Sequence, residues 1–169
     1  MDRTLHMKEI NLTDLRLELV GKTPTEFDEA VKPLRTFLNQ FNEDGQMAKL
    51  MLYDNVTNHK AGDVYVRELK IPKGAIILSR VHKRALVNII SLGTVEVIDS
   101  TGHHVYEAPC TFVSDAGTQR VVYAHEETVW NTAHITNKNT PDGLVEDLTL
   151  DNYSEYLMYS QQLEHQENI

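Results

Sequence analysis

Leu86-Val87-Asn88-Ile89-Ile90-Ser91-Leu92-Gly93-Thr94-Val95-Glu96-Val97-Ile98-Asp99-Ser100-Thr101-Gly102 decides the fold class. Two short runs rich in β-branched residues are separated at Leu92-Gly93 and closed by Ser100-Thr101-Gly102, the pattern of strands joined by tight turns. The pattern continues outward. Val64-Tyr65-Val66-Arg67-Glu68-Leu69 and Ala75-Ile76-Ile77-Leu78 precede it, divided by Pro72-Lys73-Gly74, and Asp115-Ala116-Gly117 supplies a later turn. Many short strands with regular turns predict an all-β sandwich or barrel over residues 46–136.

The flanks change period. Residues 1–45 read as a helical N-terminal extension. Thr23-Pro24-Thr25-Glu26 offers a capping hydroxyl and a first-turn carboxylate, and Phe27, Ala30, Val31, Leu34, Phe37, Leu38 and Phe41 recur at helical spacing. Pro33 removes a backbone donor inside that stripe, which predicts a kink or two shorter helices, and Asn42-Glu43-Asp44-Gly45 ends the element. Residues 137–169 read as a linker and a C-terminal helix. Asn137 to Gly143 is a polar loop in composition, while Tyr153, Tyr156, Leu157, Ser160 and Leu163 fall on one helical face behind Asp151 as the cap.

Composition narrows the function classes. A chain of 169 residues with 41% hydrophobic and 24% charged residues suits one soluble globular domain. The formal charge of −9 argues against general nucleic-acid binding, which needs clustered Lys and Arg, so any positive site is local. Cys110 is the single cysteine, so no internal disulfide and no Cys-x-x-Cys zinc pair exist; it reads as a small buried hydrophobe. The charged start at Asp2, Arg3, Lys8 and Glu9 lacks a signal-peptide core, and no run approaches the ~20 apolar residues of a membrane span. A cytoplasmic location is the default expectation.

Two further stretches carry a resemblance. Ile71-Pro72-Lys73-Gly74 through Gly93, and Ala108-Pro109 through Ala124, resemble the two motifs of the cupin superfamily, whose fold is a double-stranded β-helix barrel. In the first motif, a His-x-His pair and a glutamate stand between glycines. Counting back from Gly93 places Arg80 at the first histidine, His82 at the second and Leu86 at the glutamate. In the second motif, Gly117 matches the glycine, Arg120 stands at the histidine and Ala124 at the closing asparagine. Three of four usual ligand positions therefore depart from the family. The run Tyr123 to His134, with Ala124-His125-Glu126 and Thr128-Val129-Trp130, is also similar to cupin-like proteins common in bacteriophage and prophage sequences. Together the resemblance covers about residues 62–135 and implies a mainly β barrel, to which the helical periods of the flanks add extensions at both ends.

The departures have a chemical meaning. Guanidinium groups donate no lone pair and repel divalent cations, so the implied cupin metal centre is not expected and no cofactor is assigned. Arg80 and Arg120, with His82 between them and Lys83 and Arg84 near the rim, would instead clamp a carboxylate or phosphate. The competing reading makes Arg80 a rim residue paired with Glu68 or Glu96, and Arg120 an internal staple between strands. Trp130 and His134 share strand parity with Thr132 between them, so Trp130 is either a stacking wall or the largest core residue.

Function is thus read as a non-enzymatic cupin-like phage-type protein. It would hold a small anionic ligand at Arg80, His82, Arg120, Trp130 and His134, or act as an oligomeric structural module, in host cytoplasm or virion. The alternative is a cupin oxygenase or isomerase with a divalent metal on His82, His125 and His134, supported by Glu126. His103-His104 at the hairpin tip point to opposite faces and read as solvated turn residues. A homo-oligomer without membrane contact completes the expectation.

Overall fold

Every strand run quoted above forms a strand in the computed structural model, which describes residues 11–43 and 55–167. The first four strands are β1 (Val56–Ala61), β2 (Val64–Ile71), β3 (Ile76–Leu78) and β4 (Val81–His82). They are followed by β5 (Leu86–Leu92), β6 (Thr94–Asp99), β7 (Gly102–Glu107) and β8 (Cys110–Ser114). The barrel closes with β9 (Arg120–Ala124) and β10 (Thr128–Ile135). Strand order is β1-β2-β10-β5-β8 in one antiparallel sheet and β3-β9-β6-β7 in the other. Apart from the β1–β2 and β6–β7 hairpins and the short β4, the chain alternates between the two sheets, which makes a double-sheet jelly roll, the architecture of cupin barrels. The fold is mainly β, as expected, with helices at both ends.

Alternation along each strand sorts the side chains. Val95, Val97, Val122, Ala124, Ile71, Ile90 and Trp130 form the core between the sheets. Ile98 and Val121 point outward from the four-stranded sheet, against Leu19, Phe27, Val31 and Leu34 of the N-terminal helices. These helices are α1 (Leu12–Leu19), α2 (Pro24–Ala30) and α3 (Lys32–Glu43). Burying four such side chains contributes about 1.5–3 kcal/mol each, enough to dock helices too short to persist alone. Thr23 and Glu26 form a reciprocal capping box, as the sequence implied. Pro33 also acts as expected: the stripe divides at Val31, and proline sits at the second position of α3, where its missing N–H is harmless. The expected turn at Asp44-Gly45 and the reading of residues 1–10 lie outside the described residues.

The C-terminal part differs from expectation. Asn137 to Gly143 does not remain a loop: helix α4 (Pro141–Leu148) begins inside it, with Thr140 Oγ1 accepting from Gly143 N at 3.2 Å. Strand β11 (Thr149–Leu150) then pairs with β4, and α5 (Tyr153–Glu167) follows. The cap of α5 is Asn152 rather than Asp151, because Asn152 Oδ1 accepts from Glu155 N at 3.0 Å while the Glu155 carboxylate accepts from Asp151 N at 3.1 Å. Among the described residues no helix is long and apolar enough to cross a membrane. Cys110 is half-buried against the inner core.

The β5–β6 turn depends on Gly93. Its φ of +86° favours glycine, and a Cβ there would stand 2.3 Å from Glu127 O and 2.5 Å from Thr128 Oγ1. Gly93→Ala is expected to destabilise the protein by more than about 2 kcal/mol in urea unfolding, since strain and backbone overlap add. A midpoint within error of wild type would contradict this packing.

Candidate functional site

The barrel interior is polar at one end. Asp115-Ala116-Gly117 turns the chain into β9, and Gly117, at φ +81°, has no room for a Cβ because the Tyr156 ring of α5 rests on it. Gly117 N donates to His82 O at 2.7 Å, and His82 N donates to Thr118 O, so this turn sets β4 beside the start of β9. His82 and Arg120 are thereby brought to the same end of the barrel.

Arg120 is 3% exposed. Its guanidinium donates to Ser114 Oγ and, at 3.5 Å, to Asn88 Oδ1, and it lies over the rings of Trp130 and Phe112 at 5.7 and 6.0 Å from their centroids. Asn88 Oδ1 also accepts from Trp130 Nε1 at 3.1 Å, and Asn88 Nδ2 donates to Ser114 Oγ at 2.7 Å. Among the described residues no carboxylate forms an ion pair with Arg120. Asp99 is its register partner across β6–β9, but Asp99 Oδ1 accepts from Thr101 N and Oγ1 instead. Burial pulls the Arg120 pKa down, opposed by Asp99 and Tyr106. Two enclosed side-chain atoms among the described residues have no hydrogen-bond partner, Arg120 Nε and His82 Nδ1. Both belong to this cluster.

His82 and His134 stack at 6.0 Å, and His134 stacks on Tyr65 at 5.8 Å. His134 Nε2 lies 3.0 Å from Thr132 Oγ1, and Tyr65 OH donates to Asn58 Oδ1 at 2.7 Å. Tyr65 also lines a cleft of about 290 Å³ with Asn58, Lys60 and Asn139. Burial, then Arg120 and His134, lower the His82 pKa to about 3; burial, then Arg67 and Arg84, lower that of His134 to about 4. Both rings are neutral at pH 7.

The remaining residues singled out in the sequence lie elsewhere. Arg80 does not join Arg120; it is exposed, donates to Thr149 Oγ1 at 2.8 Å and pairs with Asp151. Arg84 pairs with Asp147 at 2.7 Å and donates to Ile135 O, while Lys83 donates to Glu146 O. The three rim cations therefore hold the C-terminal segment against the barrel. Glu68 faces His59, and Glu96 faces Arg16, so neither serves Arg80.

His125 lies on the outer face with its Nε2 3.0 Å from Glu96, and Glu126 accepts from Thr94 Oγ1. Thus His82, His125 and His134 do not assemble around one point. Among the described residues no group of three His, Cys, Asp or Glu side chains is placed to hold a metal. The donor set also does not fit a cupin metal: Arg80, Leu86 and Arg120 offer no lone pair, and His82 alone remains at the motif positions.

The outer Glu96 site was missed in the sequence. Glu96 is 1% exposed and receives Arg16 of α1, His103 at 2.9 Å and His125. The Arg16 hydrogen bond, foremost, lowers its pKa to about 2. His103 is thus a partner of Glu96 on β7 rather than a solvated turn residue, and His104 lies 3.1 Å from Thr101 Oγ1. The signal was the alternation of β6, which turns Glu96 and Ile98 to the helix-covered face.

No family model matches the chain, and no curated protein matches it. Solved structures with a similar layout include KdgF from a Halomonas species, at 13% identity and TM-score 0.45, covering 56% of this chain and 89% of that one. A cupin-2 domain protein from Shewanella frigidimarina matches at 15% identity and TM-score 0.42, over 59% and 91%. An acetylacetone dioxygenase from Acinetobacter johnsonii matches at 14% and 0.42, over 47% and 58%. Likenesses this distant carry nothing about ligand or activity.

The two buried imidazoles set an acid sensitivity. Their folded pKa values lie below the ordinary 6.5, so the unfolded chain binds more protons as the pH falls from about 6.5 toward 4. Stability is full above that window and lost through it, with a limiting slope near 2.7 kcal/mol per pH unit for two rings. Glu96 adds to the loss below pH 4.5. Denaturant midpoints at stepped pH are expected to fall across the window, and less steeply in His82→Gln; an unchanged slope in that variant would contradict the buried neutral ring.

Proposed function

We propose that the barrel is a binding module for a small anion, a carboxylate or phosphate group, received by Arg120 beside His82. The observation that supports this is the Arg120 guanidinium, buried with no ion-paired carboxylate among the described residues and with Nε unpartnered. A lone buried cation is costly, and an anion that accepts from Nε would offset the cost with a charge-assisted bond in low dielectric. Neutral His82 adds a second unpartnered nitrogen, Nδ1, able to donate to the same anion. The Trp130 and Phe112 rings flank the guanidinium. Arg80 is left out of the binding set, and the C-terminal segment that it holds covers the rim. The phage-type reading rests on the Tyr123 to His134 run alone and supports an accessory module rather than a metabolic enzyme.

Isothermal titration with acetate, benzoate and inorganic phosphate tests this. One probe is expected to bind the wild type with one-to-one stoichiometry and to bind Arg120→Met at least about tenfold more weakly, the loss of one charged hydrogen bond. Arg80→Met is expected to match wild type. Equal affinities in wild type and Arg120→Met, or no binding of any probe, would overturn the proposal.

A further inference from the structure

The two sheets are covered unequally. Helices α1 to α3 lie on the outer face of the four-stranded sheet, where Leu19, Phe27 and Val31 bury Ile98 and Val121. The outer face of the five-stranded sheet carries aliphatic side chains in the open: Val113 is 66% exposed, Ile135 67%, Val64 45%, Val87 39% and Ile89 38%. Their registers make them neighbours. Val64 is opposite Ile135, Val87 is opposite Val113, and Ala133 joins the two pairs through its position opposite Val87. Ile89 is the next outward residue after Val87 on β5, so the five form one continuous apolar patch.

We infer that this face is the contact surface for a second copy of the chain. Charge, area and symmetry favour that occupant. Outward positions on β2, β5, β8 and β10 include one acid, Glu68, and one base, Lys70, so the face is close to neutral in a chain of net charge −9. Two such chains meet with least repulsion there. Five strands about 4.8 Å apart, each rising about 3.3 Å per residue, give a plane near 500 Å². Side-chain relief raises its accessible area toward the roughly 800 Å² per partner of a standard interface. Finally, a patch of one surface is self-complementary about a two-fold axis, so a single apolar face closes a dimer without an open-ended chain of contacts.

Light scattering on a size-exclusion column, from low to high micromolar concentration, tests the inference on the full chain. Wild type is expected at twice the chain mass. Val113→Lys and Ile89→Lys each face solvent in the single chain, so both are expected to keep the wild-type far-ultraviolet dichroism and to elute as monomers. Val105→Lys, also exposed but on the four-stranded sheet, is expected to remain dimeric. A wild-type monomer across the range, as would follow if the face were covered from within the chain, overturns the inference. So does a dimer that persists in both patch variants, or one that Val105→Lys also dissolves.

Discussion

The Asn88 side chain joins four strands drawn from both sheets. It sits on β5, donates to Ser114 on β8, and accepts from Trp130 on β10 and from Arg120 on β9. Buried polar groups of this kind must be satisfied, and three of these residues satisfy one another: Asn88 offers both a donor and an acceptor, Ser114 accepts and Trp130 donates. Arg120 is different. It adds a positive charge that the other three do not require, since the Asn88 and Ser114 acceptors already have donors in Trp130 and Asn88. The network therefore explains how the guanidinium is held in place but not why a charge is there.

The outer surface of the barrel repeats the use of a buried charge with the opposite outcome. Glu96 is enclosed, yet Arg16, His103 and His125 surround it, and Arg16 ties helix α1 to β6. Removing one partner from such a group leaves a buried charge, so it is structural by nature. Arg80, Lys83 and Arg84 are structural as well, as solvent-accessible rim charges bonded to α4, β11 or the residue after it. With these groups paired inside the protein, Arg120 stands apart as a cation whose pairing the described chain does not complete.

The barrel was legible because β-branched runs and turn glycines have local causes. Gly93 and Gly117 occupy positive-φ turns, and the capping box at Thr23 and the division of the helical stripe near Pro33 follow from residues a few places apart. The candidate site was legible in part. Counting from Gly93 and Gly117 put His82 and Arg120 together, and parity put Trp130 and His134 on one face. Arg80 could not be placed this way, because its partners Thr149 and Asp151 lie about seventy residues on, beyond a stretch read as a polar loop and around a short strand that was not read at all. Asn88 and Ser114 gave no sign either: a polar residue inside a strand looks like a solvent position until the opposite strand is known. The alternation of β6 signalled only that Glu96 shares the face of Ile98; its cover comes from α1, eighty residues earlier.

The stability of Arg120→Met without added ligand tests most directly whether this charge serves binding rather than folding. Methionine fills a similar volume without a charge, and Asn88 and Ser114 keep their other partners, so the denaturant midpoint is expected to equal or exceed that of wild type. A loss of more than about 2 kcal/mol, the scale expected for breaking a required buried network, would contradict the account.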